Sequence, residues 1–553
     1  MGSGGPMCTP RAARAGGLAV LCLMLTAART AQATTRPGAR WIASSTGEAD
    51  FDQDCEPRQV RIAFGEDATS MSVSWKTYGS DCRSEVTWWR DRWGGAGALL
   101  PFAAASAAGY SFLLSERDMA EAPASDRPFT LYVHRAVMTG LAPGARYRYR
   151  LGGGGGGGGG AWGFRAGQPG GRDVRTAFVA VGDMGDPIHA ASRSPGAPVT
   201  IASILRRDAA VSDFLLHVGD IAYADGNPEV WDSFLDAISP LASRLPYLVQ
   251  VGNHEAGCNA ASDLDPSRLP PPRPDCGGFG PDSGGECGAM VSRLFHMPSG
   301  EGGERAAAAG NGRPGAPRGG GGSGGALRAN PPFWYTFEHG RVAFVAVSTE
   351  HDLSPGSPQR EWLEGALASV DRCATPWLLL LAHRPLYVAV PDRKGDAPVG
   401  EFLRASLEPL LDEFQVDAVI SGHVHAYYRT CPLAGGRCLE DADADAGGDA
   451  GVRGSADAVR GGGGARHGTV HIVVGASGHK LLSDLADAGS EDQEAWVAAS
   501  RNSWGYMRFE TRGDFELAAE FVASETGAVL DSFAIDASEA RRARGLRCGA
   551  RAA

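Results

Sequence analysis

Lysine is nearly missing from this chain. Of the 52 basic residues only Lys76, Lys394 and Lys480 are lysines, which we read as nucleotide bias in the gene. Basic charge is short as a whole: 64 acidic residues leave a net charge of −12. Nucleic-acid and anionic-membrane partners need a basic surplus, so neither is expected. There is no Asn-x-Ser/Thr sequon, so no N-glycosylation is expected, and no Cys-x-x-Cys pair of a zinc site. The longest apolar run, Gly17–Ala28, is well short of the roughly 20 residues that span a bilayer, so no stable membrane association is expected.

Enough remains for a large folded protein. Hydrophobic residues make up 43% and charged residues 21%, close to globular averages. A length of 553 residues implies two domains or more. Arg11 and Arg14 precede Gly17–Ala28, and Ala31-Gln32-Ala33 follows. That is the charged, apolar, A-x-A order of a signal peptide over residues 1–33, with cleavage after Ala33 and an extracellular or vacuolar destination. Of 11 cysteines, Cys8 and Cys22 leave with it. The odd remainder implies at least one thiol unpaired or paired between chains. Cys431 and Cys438 are the nearest local pair, while Cys258, Cys276 and Cys287 crowd one loop.

Residues 56–168 read as a small β-sandwich. Ser70–Trp75, Ser84–Trp89, Tyr132–Val137 and Tyr147–Leu151 are short strand patterns separated by turn signals. The glycine run Gly152–Gly160 lacks the Lys-Ser/Thr of a phosphate loop and reads as a hairpin tip. From Val174 apolar runs alternate with helical stretches, the signature of βαβ units, over a second domain at 174–480. Residues 481–538 form its C-terminal part. Inserts at 300–329 and 440–466 are too poor in apolar side chains to fold and read as mobile surface loops. The tail Glu539–Ala553 reads as frayed.

Five apolar strands each end in a small residue followed by Asp, Asn or His. Thr176–Val181 runs into Gly182-Asp183-Met184-Gly185, and Phe214–Val218 into Gly219-Asp220-Ile221-Ala222-Tyr223. Tyr247–Val251 runs into Gly252-Asn253-His254-Glu255, and Trp377–Leu381 into Ala382-His383-Arg384-Pro385. Val416–Ile420 runs into Ser421-Gly422-His423-Val424-His425. Singly, a Gly-Asp is a turn and a histidine a satisfied polar group. Five strand ends with one chemistry are not, because open α/β sheets bind ligands outside the carboxyl ends of their strands.

The donors fit two metals. Cations about 3.5–4 Å apart repel and need an anionic bridge. Asp220 can bridge through its two oxygens. Asp183 and Tyr223 add anionic oxygens that suit a hard trivalent ion, and His425 can reach the same metal. Asn253, His383 and His423 offer neutral donors for a divalent ion.

The blocks GDMG, GDIAY, GNHE, AHRPLY and GHVHAY resemble, in order, the five motifs of the purple acid phosphatases, within the metallophosphoesterase superfamily. The tyrosine of GDIAY is the most specific of these marks. Gln59–Gly65 with Met71–Trp75 looks like that family's fibronectin-III-like N-terminal domain. Phe333–Phe337, Ser348–Pro358 and Asp371–Trp377 look like its larger, plant-type members, and Gly468–Gly475 with Trp504–Phe509 like its C-terminal part. The resemblance implies a fibronectin-III-like β-sandwich followed by an αββα-sandwich catalytic domain. It implies Fe(III) on Asp183, Asp220, Tyr223 and His425, and divalent iron, zinc or manganese on Asp220, Asn253, His383 and His423.

The expected reaction is hydrolysis of small phosphate monoesters by hydroxide that the metal pair supplies, with His254 and Arg384 stabilising charge on the phosphoryl oxygens. Two features depart from the family pattern. Tyr428 stands where glutamate is common, and Val388–Gly400 lacks the histidines that protonate the leaving group in some plant members. His254, His351 and water remain as proton donors. A dimetal phosphodiesterase or nucleotide hydrolase, and a non-catalytic secreted binding protein of the same fold, are the competing readings. Oligomeric state is not legible.

Overall fold

The computed structural model describes residues 54–91, 104–118, 129–152, 160–189, 194–258, 279–299, 328–390, 396–439, 468–483 and 494–537, with Val459, Arg460 and Leu485 besides. The expected signal peptide, the tail, Cys276, the tip of the glycine hairpin and nearly all of both inserts lie outside these residues.

The N-terminal domain is a sandwich of two four-stranded antiparallel sheets. One orders Arg58–Phe64, Met71–Thr77, Thr130–Met138 and Tyr110–Ser115; the other Ala105–Ala108, Glu85–Arg90, Arg146–Leu151 and Trp162–Arg165. Trp75, Val86, Leu114, Tyr149 and Phe164 fill the space between them. Arg146–Leu151 pairs with Trp162–Arg165, so the glycine run joins a hairpin as expected. Sequence reasoning missed Ala105–Ala108 and Tyr110–Ser115, the first of which is built from alanine and serine, poor strand formers.

Met71–Thr77 alternates apolar and polar residues, yet every position is buried. The polar face is covered by the second domain. Lys76 pairs with Asp232 on the helix Pro228–Ala242, and Gln59 Nε2 donates to Asp232 Oδ1 at 2.9 Å. Arg61 Nε donates to the Leu294 carbonyl at 2.8 Å, so the two domains share a polar, buried seam.

The second domain packs two seven-stranded sheets face to face between helices. In the first, Tyr247–Gln250, Phe214–Val218 and Ala177–Val181 run parallel. Gly505–Thr511, Glu516–Ala523 and Val529–Asp536 extend it antiparallel. In the second, Val342–Val347, Trp377–Ala382, Ala418–Ser421 and Val470–Val474 run parallel; Tyr335–His339 and Tyr427–Thr430 flank them antiparallel, and Val497–Arg501 pairs antiparallel with Tyr427–Thr430 at the edge. Phe178 and Phe214 of one sheet meet Phe344 of the other edge to face at 5.2 and 5.4 Å. Runs such as AFVAV, FLLHV and WLLLLA are buried throughout because each has a sheet on one face and helices on the other.

The flanking helices start where their sequences dictate. Asn227 and Ser357 accept backbone N–H groups of Glu229 and Arg360, each followed by proline at the first helical position. The βαβ units are followed by C-terminal strands that return as antiparallel hairpins. Within the second insert, Val459–Arg460 pairs in parallel with Val529–Asp536. Disulfides join Cys431 to Cys438, Cys258 to Cys287 and, unforeseen, Cys55 to Cys82; Cys373 is also disulfide-bonded.

Candidate metal centre

The parallel strands of both sheets end at one edge, and the five expected loops meet there. Asp220, His383 and His423 each offer a ligand atom within 4.8 Å of the others, and so do Asp183, Asp220 and His425. Asp220 belongs to both groups. Asn253 Oδ1 lies 3.1 Å from His383 Nε2 and 2.9 Å from His423 Nδ1. Tyr223 Oη lies 2.9 Å from Asp183 Oδ1 and 2.8 Å from His425 Nε2. All seven expected donors therefore converge, with Asn253 among the first group and Tyr223 among the second.

The backbone is bent to achieve this. Asp183, Asp220, Tyr223 and His423 have φ of 56°, 51°, 53° and 67°, the left-handed region that side chains with a Cβ avoid. Such strain persists where the surroundings over-determine it, as at ligand clamps. The loops also approach closely. A Cβ on Gly252 would overlap Asp220 Oδ1, and one on Gly422 would overlap Asp183 Oδ2.

Glu255 holds two loops together. Fully buried, it accepts the N–H groups of Asp220 at 2.9 Å, Ile221 at 2.7 Å and Gly252 at 3.0 Å. Burial and the nearby Asp220 push its carboxyl up to about 7, against the pull of those N–H groups.

The electrostatics call for cations. Burial, together with the Asp183 and Asp220 carboxylates, pushes the Tyr223 phenol well above its ordinary value. Burial alone would lower His383, but Asp220 overrides it and raises the imidazole to about 10. Burial alone would raise Asp220, but His383, His254 and His423 hold it well below the usual carboxylate range. The cluster thus keeps a phenol neutral and borrows protons to offset its carboxylates, work that bound cations would take over. Carboxylates, a phenol, an amide oxygen and imidazoles suit a hard ion beside a borderline one.

His254 and Arg384 flank the donors. His254 Nδ1 lies 2.6 Å from Asp225 Oδ1, and its backbone N–H donates to Asp220 Oδ1 at 3.0 Å. Burial opposes its charge, but Asp220 and Asp225 outweigh burial and raise it to about 9. Arg384 donates to both oxygens of buried Glu350 at 2.7 and 3.2 Å and reaches Asp282 at 3.5 Å. Its Nη1 lies 3.2 Å from His423 Nε2. His351 sits elsewhere in kind: Nδ1 bonds Ser348 Oγ at 2.7 Å and the ring packs edge-on against Phe333 and Trp334. Tyr428 is buried, its hydroxyl donating to the Tyr387 carbonyl at 2.8 Å.

Sequence reasoning passed over Glu350, Asp225, Asp282, Asp396 and His479. The His479 ring stacks on Tyr223 with centroids 3.9 Å apart and planes 8° apart, and its Nδ1 lies 3.1 Å from Ser194 Oγ. No spacing in the sequence points to it. Glu255 was in view as the last residue of GNHE, without a role.

Comparison with known proteins agrees with this geometry. Three family models match successive parts of the chain. They are the purple acid phosphatase N-terminal domain at 57–165, calcineurin-like phosphoesterase at 176–427, and iron/zinc purple acid phosphatase-like protein C at 468–532. The Arabidopsis thaliana protein called "Probable inactive purple acid phosphatase 27" is 30% identical over 73% of this chain, which spans 58% of that protein's length. A "Nucleotide pyrophosphatase/phosphodiesterase" of Hordeum vulgare is 29% identical over 67% of this chain and 86% of its own length. The solved structure of a yellow lupin (Lupinus luteus) seed purple acid phosphatase superposes with a TM-score of 0.65 at 26% identity, covering 87% of this chain and 74% of that one. With its N-terminal domain, its phosphoesterase domain and its C-terminal strands matched in succession, the chain belongs to the purple acid phosphatases, within the metallophosphoesterase superfamily.

Proposed function

We propose that the protein is a secreted acid phosphatase that hydrolyses small phosphate monoesters at a ferric–divalent pair, the divalent ion being iron, zinc or manganese. The observation that carries this reading is Asp220, which belongs to both groups of donors. A carboxylate shared in this way is what two adjacent cations require. Asp183, Tyr223 and His425 would complete one position, and Asn253, His383 and His423 the other. When bound, such a pair polarises a phosphate oxygen and acidifies water.

The chain's own residues do the rest. Arg384, fixed by Glu350, presents a permanent cation beside His423 for a phosphoryl oxygen. His254, steadied by Asp225, carries a proton across the acid range. Cations on Asp220 would draw the His254 imidazole down from about 9, toward the range where that histidine can also donate to a leaving group.

The similar Arabidopsis protein is called inactive. In this chain every expected donor is present, which supports activity. The barley relative favours a second reading, in which the same centre hydrolyses a phosphodiester or pyrophosphate. The test is turnover of an aryl phosphate, a bis-aryl phosphate and a nucleoside diphosphate by protein purified without chelator, with its metal content measured. Preferred turnover of the monoester supports the first reading. Preference for either other substrate supports the second. Two bound metals with no turnover would leave a binding protein.

A further inference from the structure

Each of the three imidazoles at the centre has one nitrogen among the donors and the other tied to the fold. His383 turns Nε2 to Asp220 and Asn253, and its Nδ1 lies 2.8 Å from the Val218 carbonyl. His425 turns Nε2 to Tyr223, and its Nδ1 lies 3.0 Å from the Lys480 carbonyl. His423 is turned the other way. Its Nδ1 faces Asn253 Oδ1, and its Nε2 lies 3.0 Å from Asp396 Oδ1. Two of the three outer acceptors are thus neutral carbonyls, and the third is a carboxylate.

The same Nε2 has a rival partner, Arg384 Nη1 at 3.2 Å. A guanidinium can only donate, so it suits a bare Nε2, with the proton on Nδ1. That tautomer donates to Asn253 Oδ1 and cannot bind a cation through Nδ1. A carboxylate can only accept, so it suits a protonated Nε2 and leaves the Nδ1 lone pair facing the other donors. Asp396 and Arg384 therefore favour opposite tautomers.

We propose that Asp396 is a positioning residue for the divalent ion. Its carboxylate selects the tautomer of His423 that leaves Nδ1 open, and its charge makes that ring a stronger donor than His383 or His425. The carboxylate stands at the start of the helix Asp396–Phe414, within Val388–Gly400, a stretch without histidine. It is four-fifths buried, so solvent screens it little. The inference rests on the proposed metal pair and adds a residue that touches neither metal nor substrate.

The test is a calorimetric titration of chelator-stripped full-length protein with zinc, comparing wild type, Asp396→Asn and Asp396→Ala. Loss of an outer carboxylate typically weakens a histidine-ligated metal by about 10–100-fold. Asp396→Ala should show that loss at one of two zinc sites and leave the other unchanged. Asp396→Asn keeps an oxygen acceptor without the charge and should fall between. Melting of the stripped protein separates a folding defect from a binding one, and the asparagine variant should melt with wild type. A wild type that binds two ions, with an alanine variant that matches it at both sites, overturns the inference alone. Equal weakening at both sites, with a lower melting temperature in the stripped protein, shows a merely structural role and also overturns it. A wild type that takes up no second ion overturns the proposed metal pair as well.

Discussion

Replacing Glu255 by glutamine keeps the size of the side chain and changes what it can accept. One carboxylate oxygen takes the N–H groups of Asp220 and Gly252, at 2.9 and 3.0 Å, and the other takes that of Ile221 at 2.7 Å. The amide has a single oxygen, so in either orientation its NH2 faces at least one backbone N–H. One buried donor loses its acceptor, a cost of about 1–3 kcal/mol. Glu255→Ala strips all three donors and should cost about 3 kcal/mol or more. Because these N–H groups align the Asp220 and Gly252 loops, the strain should also appear in turnover, at about tenfold for each 1.4 kcal/mol not recovered.

The penalty has a pH signature. In metal-free protein the Glu255 carboxyl is raised from 4.5 to about 7. A raised folded-state value gives stability that is present below 4.5 and lost as pH rises through about 7. Glutamine does not titrate, so its penalty in metal-free protein should shrink over that window. With cations offsetting Asp220, the penalty should persist at pH 7. Urea unfolding followed by tryptophan fluorescence at pH 5 and 7.5, with and without metal, reads this, alongside aryl phosphate turnover. A glutamine variant as stable and active as wild type, or a metal-free penalty that grows with pH, would refute the reasoning.

Lys76→Met should lower the melting temperature by the equivalent of about 3–5 kcal/mol, because it leaves Asp232 charged and buried at the domain seam. The double variant with Asp232→Leu should recover most of that; a single variant that melts with wild type contradicts it. Metal-free protein should lose stability as pH rises from 6.5 toward about 9 to 10, since His254 and His383 are raised in the fold and then give up their protons. A melting temperature that climbs over that range counts against this. Tyr223→Phe should bleach the visible absorption expected of a phenolate on ferric iron, and a colourless, fully active wild type with two zinc ions would remove iron from the assignment.

The strands leading to the centre were legible because each is an apolar run buried on both faces, and the donors because each stands just past a glycine or alanine. Their order along the chain carried the family resemblance. The rest depended on tertiary contact. Met71–Thr77 looked half-exposed until the helix Pro228–Ala242 covered its polar face. The pairing of Val459–Arg460 with Val529–Asp536 joins segments some 70 residues apart, which composition does not encode. Asp396 lies 27 residues before His423, and His479 lies 296 residues after Asp183, so no local pattern links either to the centre. What joins them to the site is a helix start and a loop that the fold returns to the same edge.

The most direct test of the metal pair is turnover of an aryl phosphate by wild type and by Asp220→Asn, both reconstituted with iron and zinc. Asparagine keeps the shape of the shared ligand and removes its charge, so both ions lose their bridge at once. Turnover should fall by about 10³-fold or more, a loss of the size seen when a charge-organising catalytic group is removed. An Asp220→Asn variant that works at nearly the wild-type rate would contradict the assignment at its centre.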